Sequence, residues 1–475
     1  MNALFALLKE NVIKYPDKTA ISFNGEHISY KYFYEEILLT KEFLLHAGIE
    51  KEKSVVYFSA ANSIAFYIVL FAFYDLNITL YLVDPKTTAT EWENLLDTFG
   101  CDFIIREKSN LDVNKIDYLD FVIEKSEQRS SAEFQSIQTC FFTSGTTGMP
   151  KVFGFTDSQL IQKLSLLSKF MGFNENDKVL CPLSATHDHG FILTVSFLLV
   201  GATVCLLKSS PSFYKDIATT IQENEITVFT GVPLVYASLL DAVNRGDAFK
   251  SLRYAFCGSA PLSEKTAAQF YDKFNIQLNH AYGISEIGPI CINMNITSEP
   301  NFKSIGKVLP YIEYKIINED GEPVEDGEQG ELIVRSLFMT NGYIKNEEDT
   351  AKLLIDGWMH TQDLVYEDEQ KYVYIIGRKT TFINNAGYKV YPVEVEKVLL
   401  SMEGIKQALV AGMGDENRSQ KIIAYITTFI PLSSEEIHLY CRGKLSKYKC
   451  PHEIIICDEL PVNSIGKIIA SKVKS

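Results

Sequence analysis

The sequence predicts an α/β protein. It has a large N-terminal domain of layered, mostly parallel sheets with flanking helices, a β-rich subdomain, and a small α+β C-terminal domain. Three observations lead there. Residues 1–135 alternate short apolar strands with amphipathic segments, and a βαβ rhythm favours a parallel sheet covered by helices on both faces. From Ser304 to Ser336 the rhythm changes to strands separated by the turns Asp320-Gly321 and Asp326-Gly327. A chain of 475 residues is too long for one compact core, so two or three domains are expected, and residues 380–475 have the size of a small one.

In the N-terminal part, Thr19-Ala20-Ile21-Ser22-Phe23 and His27-Ile28-Ser29-Tyr30 are two short strands joined by Asn24-Gly25, a strong hairpin signal. Ser54–Ser59 and Leu80–Val83 read as strands with a helix between them. Two long apolar runs, Ala65 to Val83 and His189 to Leu207, each carry turn residues near the middle, so each reads as a buried helix followed by a buried strand. Cys140-Phe141-Phe142 is a strand that opens into Thr143-Ser144-Gly145-Thr146-Thr147-Gly148-Met149-Pro150-Lys151. Glycines there let backbone N–H groups turn toward an anion, hydroxyls add donors, and Lys151 adds a compact positive charge. The loop is not a Walker A element, because no GK[ST] follows. By composition alone it is an anion cradle or a polar turn.

Val179–Leu183 reads as a strand leading into Ser184-Ala185-Thr186-His187-Asp188-His189-Gly190, a polar loop at a strand's carboxyl end, where open α/β sheets place ligands. Thr227–Pro233 and Leu252–Leu262 each read as a strand and turn. In the second, the small residues Gly258, Ser259 and Ala260 would let a flat ring approach the backbone. The β-rich region holds strands Tyr311–Ile317 and Gly330–Arg335. In the C-terminal part, Asn384–Val390 is rich in turn residues. Pro392 opens a helix over Val393–Ser401, with Glu394 and Glu396 in its first turn, where the dipole favours them. Ser433-x-x-Glu436 is a capping box for another helix.

Composition narrows the function classes. The chain is 46% hydrophobic and 22% charged, ordinary for a soluble globular protein, and Lys+Arg 45 against Asp+Glu 60 leave a net charge of −15. Such an acidic chain repels nucleic acid and anionic membrane, so an anionic ligand needs a local site. The nine cysteines form no CxxC pair, which argues against a zinc site and accords with a reducing cytoplasm. The N-terminus lacks the basic head of a signal peptide, and no integral membrane segment is expected.

The Thr143–Lys151 run resembles the phosphate-loop signature of the adenylate-forming superfamily, which includes acyl-CoA synthetases, peptide-synthetase adenylation domains and luciferases. Further motifs follow in the family's order. Gly258-Ser259-Ala260 resembles one wall of its adenine pocket. Ala281-Tyr282-Gly283-Ile284-Ser285-Glu286 resembles its YGxTE motif, with Ser285 for threonine. Gly357-Trp358-Met359-His360-Thr361-Gln362-Asp363 resembles GWxxTGD, with Gln362 for glycine. Gly377-Arg378-Lys379-Thr380 resembles the domain junction, with Thr380 where Asp or Lys is usual. Pro461-Val462-Asn463-Ser464-Ile465-Gly466-Lys467 resembles the terminal PxxxxGK element.

The resemblance implies a large domain over 1–379, with a β-rich subdomain at about 304–376, and a small mobile domain over 380–475 that hinges near Thr380. It implies that Thr143, Ser144, Gly145, Thr146, Thr147, Gly148 and Lys151 cradle the phosphates of ATP and that Tyr282 stacks on adenine beside Gly283 and Ser285. Asp363 and Arg378 would hold ribose and phosphate, and Glu286 would ligate Mg2+. Lys467 would be the catalytic lysine, acting with Glu286, Thr143 and Lys151, and Gly387 would mark the loop that meets the thiol acceptor. His187 is spaced like the histidine at the carboxylate pocket of many acyl-CoA synthetases, and Asp188 like the peptide-synthetase aspartate that holds a substrate ammonium. Both readings stand beside that of a polar loop with a helix-capping aspartate.

The expected activity is acid activation through an acyl-adenylate, then thioester formation with CoA or the phosphopantetheine thiol of an acyl carrier protein. The alternatives are a free-standing amino-acid-adenylating enzyme and a non-catalytic nucleotide-binding relative. A cytoplasmic protein with a small carboxylic acid, ATP and a thiol as partners is expected, and a homodimer is left open.

Overall fold

A computed structural model describes residues 2–107, 121–126, 138–143, 151–207, 210–294, 301–385, 388–414, 420–461 and 473, with Thr143 in backbone only. The chain divides into two compact units. One comprises Met1–Thr230, Ile284–Gly288 and Ser336–Leu354; the other comprises Gly231–Gly283, Pro289–Arg335 and Ile355–Ser475.

The first unit holds a six-stranded sheet in the order Phe121–Lys125, Phe103–Glu107, Val55–Ser59, Thr79–Leu82, Thr139–Thr143, Lys151–Phe155. Its inner pairs are parallel and its two edge pairs antiparallel. The inner strand Val55–Ser59 is buried at every position, as expected when both faces are covered. Helix Ile64–Leu76 joins it to Thr79–Leu82. Ser63 caps its start, and Asn77 ends it in the left-handed conformation at φ 53°. These are the helix and strand read from the first apolar run. The second run resolves in the same way, into helix Asp188–Leu199 and strand Thr203–Leu206.

In a second sheet of this unit, Val228–Gly231, Lys178–Leu180, Thr203–Leu206 and Thr19–Phe23 run parallel in that order, and Glu26–Ser29 closes the edge. The closing hairpin turns through Asn24 and Gly25, both at positive φ, the backbone an Asn-Gly turn needs. No described helix is long and apolar enough to cross a membrane, and none of the nine cysteines is paired.

In the second unit, Tyr254–Cys257 lies parallel to Leu278–Ile284. Glu313–Ile317, Gly330–Arg335, Trp358–Glu367 and Val373–Arg378 form an antiparallel series. Further along, Ile405–Met413, Lys421–Thr428 and Glu453–Ile456 form a three-stranded sheet. Helices Pro392–Leu400 and Ser434–Lys444 pack over a core that includes Val395, Leu399, Val410, Ile426 and Ile437. The Ser433–Glu436 capping box is formed.

Three local expectations change. The strand expected over Val179–Leu183 stops at Leu180, because Pro182 has no N–H to continue a ladder. The strand expected from Tyr311 begins at Glu313, because Pro310 turns the chain first and Ile312 N–H bonds back to the Leu309 carbonyl. Glu394 lies in the first turn of its helix, whereas Glu396 lies beyond it and accepts the Val410 N–H at 2.8 Å.

Candidate active site

In the first unit, Thr143 stands opposite Lys151 across the antiparallel pair Thr139–Thr143 and Lys151–Phe155. Residues 144–150 therefore join two strand ends that lie side by side. Ser144, Gly145, Thr146, Thr147, Gly148, Gly387 and Lys467 lie outside the described residues.

Lys151 Nζ pairs with Asp349 at 2.9 Å and lies 5.0 Å from the centre of the Tyr343 ring. The ammonium holds the Asp349 carboxyl below its ordinary range. The Tyr343 hydroxyl donates to Glu286 Oε1 at 2.5 Å. Glu286 is buried, and its carbonyl accepts the Thr340 N–H. Tyr343 itself is fixed by its neighbours: Ile344 N–H donates to the Val152 carbonyl, and Tyr343 N–H donates to Thr350 Oγ1. One tyrosine thus touches both the cation at the end of the loop and the motif carboxylate.

Among the described residues no group of three or more His, Cys, Asp or Glu side chains could hold a metal ion. A single oriented carboxylate suits Mg2+, which prefers hard oxygen and takes much of its shell from water and phosphate. Glu286 fits that role.

The loop before helix Asp188–Leu199 is tied down by Asn62, which donates to the Leu183 carbonyl at 2.7 Å and accepts the Ala185 N–H at 2.9 Å. Gly190 is required here, since a Cβ would lie 2.3 Å from the Ser184 carbonyl oxygen. His187 occupies the helix N-cap position without a side-chain cap, and its Nε2 lies 2.7 Å from Asp84 Oδ2. Asp188 is the first helical residue and does not cap. Its Oδ1 lies 3.5 Å from Lys163 Nζ, on helix Asp157–Met171. Burial pushes the Asp188 carboxyl up to about 6, against the pull of Lys163, and burial lowers Lys163. His189 is 3.0 Å from Thr230 Oγ1, and burial lowers it to about 4.

In the second unit, strand Tyr254–Cys257 ends at buried Gly258, whose N–H donates to the Gly231 carbonyl at 3.3 Å. Ser259 follows at φ 66° and is exposed, and Ala260 is half-buried. The Tyr282 hydroxyl donates to Asp363 Oδ2 at 2.6 Å, and Arg378 Nε donates to Asp363 Oδ1 at 3.1 Å. Asp363 and Arg378 face each other across paired strands. Burial, then the Asp363 charge, holds the Tyr282 hydroxyl far above its ordinary range, so it remains a donor.

Gln362, standing where glycine was expected, adopts φ 62°. Its N–H donates to Glu331 Oε1, and its carbonyl accepts the Lys379 N–H at 2.7 Å. Lys379 Nζ pairs with Glu331 Oε2 at 2.9 Å. These bonds keep a left-handed backbone without glycine.

The structure thus joins Lys151 to Glu286 through Tyr343, and Tyr282 to Arg378 through Asp363. Tyr343, Asp349, Asp84 and Lys163 were missed in the sequence. The first three carry no local signal. Lys163 carried one, because it interrupts the apolar stripe Leu160, Leu164, Leu167.

A family model described as AMP-binding enzyme matches residues 8–344, and one described as AMP-binding enzyme C-terminal domain matches residues 394–467. The chain belongs to the AMP-binding enzyme family. Among its relatives, a 2-succinylbenzoate–CoA ligase of Bacillus cereus is 27% identical over 474 residues, covering 98% of this chain and 97% of that one. The o-succinylbenzoate CoA synthetase of Bacillus subtilis, solved with its acyl-adenylate intermediate, has a TM-score of 0.85 at 25% identity and covers 99% of this chain and 98% of that one. The same enzyme solved with ATP and magnesium ion has a TM-score of 0.84 at 25% identity over 99% of each chain.

Proposed function

We propose that this chain is an AMP-forming acid–thiol ligase. A substrate carboxylate oxygen attacks the α-phosphorus of ATP and pyrophosphate leaves. The thiolate of CoA then attacks the acyl-adenylate carbonyl and AMP leaves. The observation that supports the reading is the Lys151–Tyr343–Glu286 arrangement, in which an ammonium and a buried carboxylate meet one tyrosine.

Phosphoryl chemistry needs positioning and charge neutralisation more than covalent help. Lys151, with the hydroxyls and N–H groups of Thr143–Gly148, binds the β- and γ-phosphates. Glu286 would hold Mg2+, which would supply charge neutralisation at the phosphates. Tyr282, Gly283 and Ser285, with Gly258, Ser259 and Ala260, receive adenine, and Asp363 and Arg378 receive ribose. Lys467 stabilises the charge developing on the carboxylate and α-phosphate. His187, its imidazole oriented by Asp84, is the candidate contact for the substrate carboxylate. Residues 380–475 move about Thr380 between the two steps and bring the Gly387 loop to the thiol. A carrier-protein thiol is the alternative acceptor.

The relatives make 2-succinylbenzoate the first acid to test, and Mg2+, ATP and CoA the co-reactants. The expected result is pyrophosphate exchange with 2-succinylbenzoate or another aryl or fatty acid, followed by CoA-dependent thioester formation. Exchange with amino acids alone would replace this reading with an amino-acid-adenylating one. ATP binding without acyl-hydroxamate formation over the whole panel would leave a non-catalytic relative.

A further inference from the structure

Lys163 is a buried cation that the proposed chemistry does not use. Its side chain is 1% exposed, so it cannot itself contact a substrate. The surroundings are shaped to hold it. Its ammonium lies 3.5 Å from the centre of the Phe155 ring, a cation–π distance. Gly288, at φ 93°, lies beside its stem, where a Cβ would come within 3.1 Å of Ile192 Cδ1 and within ordinary contact, 3.5 Å, of Lys163 Cδ and Cε. Its ammonium also lies 3.5 Å from Asp188 Oδ1.

Asp188 and Glu286 are both buried carboxylates, and each feels the charge of Lys163. With Lys163 in place the charge of Asp188 is balanced; without it that negative charge stands uncancelled. A site that must admit a substrate carboxylate gains from the first state. The second would repel that carboxylate and attract an ammonium.

We propose that Lys163 is the internal counter-ion that makes this site select acids without an ammonium group, by cancelling Asp188 from within the chain. It acts through Asp188 and is a positioning residue. The inference rests on the acid-activating reading above and adds to it a substrate class: carboxylic acids with no cationic group near the acyl end.

The test measures pyrophosphate exchange by the full chain with the pairs 3-phenylpropanoate and phenylalanine, and 4-methylbenzoate and 4-(aminomethyl)benzoate, with 2-succinylbenzoate as reference. In Lys163→Met, exchange with the ammonium-bearing members, relative to the reference acid, is expected to rise about tenfold or more. Lys163→Gln, which removes the charge but keeps a hydrogen bond to Asp188, is expected to show the same rise and carries the test should the methionine variant fail to fold. Lys163→Arg should restore the wild-type ratio, and adding Asp188→Asn to Lys163→Met should abolish the gain. A purely structural lysine would lower exchange with every acid alike and leave the ratio within twofold of wild type, and that result overturns the proposal. Wild-type exchange with phenylalanine but with none of the other acids would instead overturn the underlying reading.

Discussion

Glu286 owes its orientation to Tyr343, whose hydroxyl binds one carboxylate oxygen. Groups that orient a metal ligand typically contribute 10–100-fold to metal affinity. Tyr343→Phe should therefore raise the Mg2+ concentration that half-saturates pyrophosphate release by about tenfold. The ring stays under Lys151, so the Asp349 pair should survive. A Mg2+ titration that matches wild type would remove Glu286 from the metal site. Glu286 was legible in the sequence because its whole motif is contiguous. Tyr343 was not, because it lies 57 residues away and meets Glu286 only through the fold. Lys163 was missed: its place on a stripe of leucines was the signal that could have found it, but its partner Asp188 lies on another helix.

At the scale of elements, local chemistry was the best guide. The Asn24-Gly25 hairpin and the Ser433–Glu436 capping box formed where short-range rules put them, while one strand stopped short of Pro182 and another began late, after the turn at Pro310. Helix Pro392–Leu400 carries a titration that the sequence hid. Glu396 was expected to favour the helix dipole; instead it bonds the Val410 N–H, and burial pushes its carboxyl up to about 7 from an ordinary 4.5. The folded pKa lies above the unfolded one, so the folded state holds a proton that the unfolded state releases between these values. Its contribution to stability is present below about pH 4.5 and is lost as pH rises through about 7. Thermal unfolding midpoints measured from pH 4.5 to 8 should thus show a decline that is shallower in Glu396→Gln. Parallel curves for the two proteins would rule out the titration.

For the whole molecule, the order of motifs along the chain was legible, but the neighbours in each sheet were not. Thr19–Phe23 pairs with Thr203–Leu206, strands far apart in sequence, and no local pattern encodes that choice. The proposed division of labour follows sequence order, with Lys151 and Glu286 early and Gly387 and Lys467 in residues 380–475. The strands and helices from Ile383 to Ile454 enclose a core of their own, including Val390, Val395, Ile422 and Ile437. Neither Gly387 nor Lys467 belongs to that core, so substitutions at these two positions should leave it standing and act on chemistry alone. The two steps then become separable. Lys467→Ala should slow acyl-adenylate formation by about 10²-fold or more, the scale of losing one preorganised charge donor. Gly387→Leu should spare pyrophosphate exchange yet slow CoA thioester formation by about tenfold or more, since misplacing a reacting group by an ångström costs that much. Exchange assays without CoA, followed by thioester assays with preformed acyl-adenylate, read each step by itself. If both variants lost both steps equally, residues 380–475 would act as one rigid catalytic part and no motion about Thr380 would be needed.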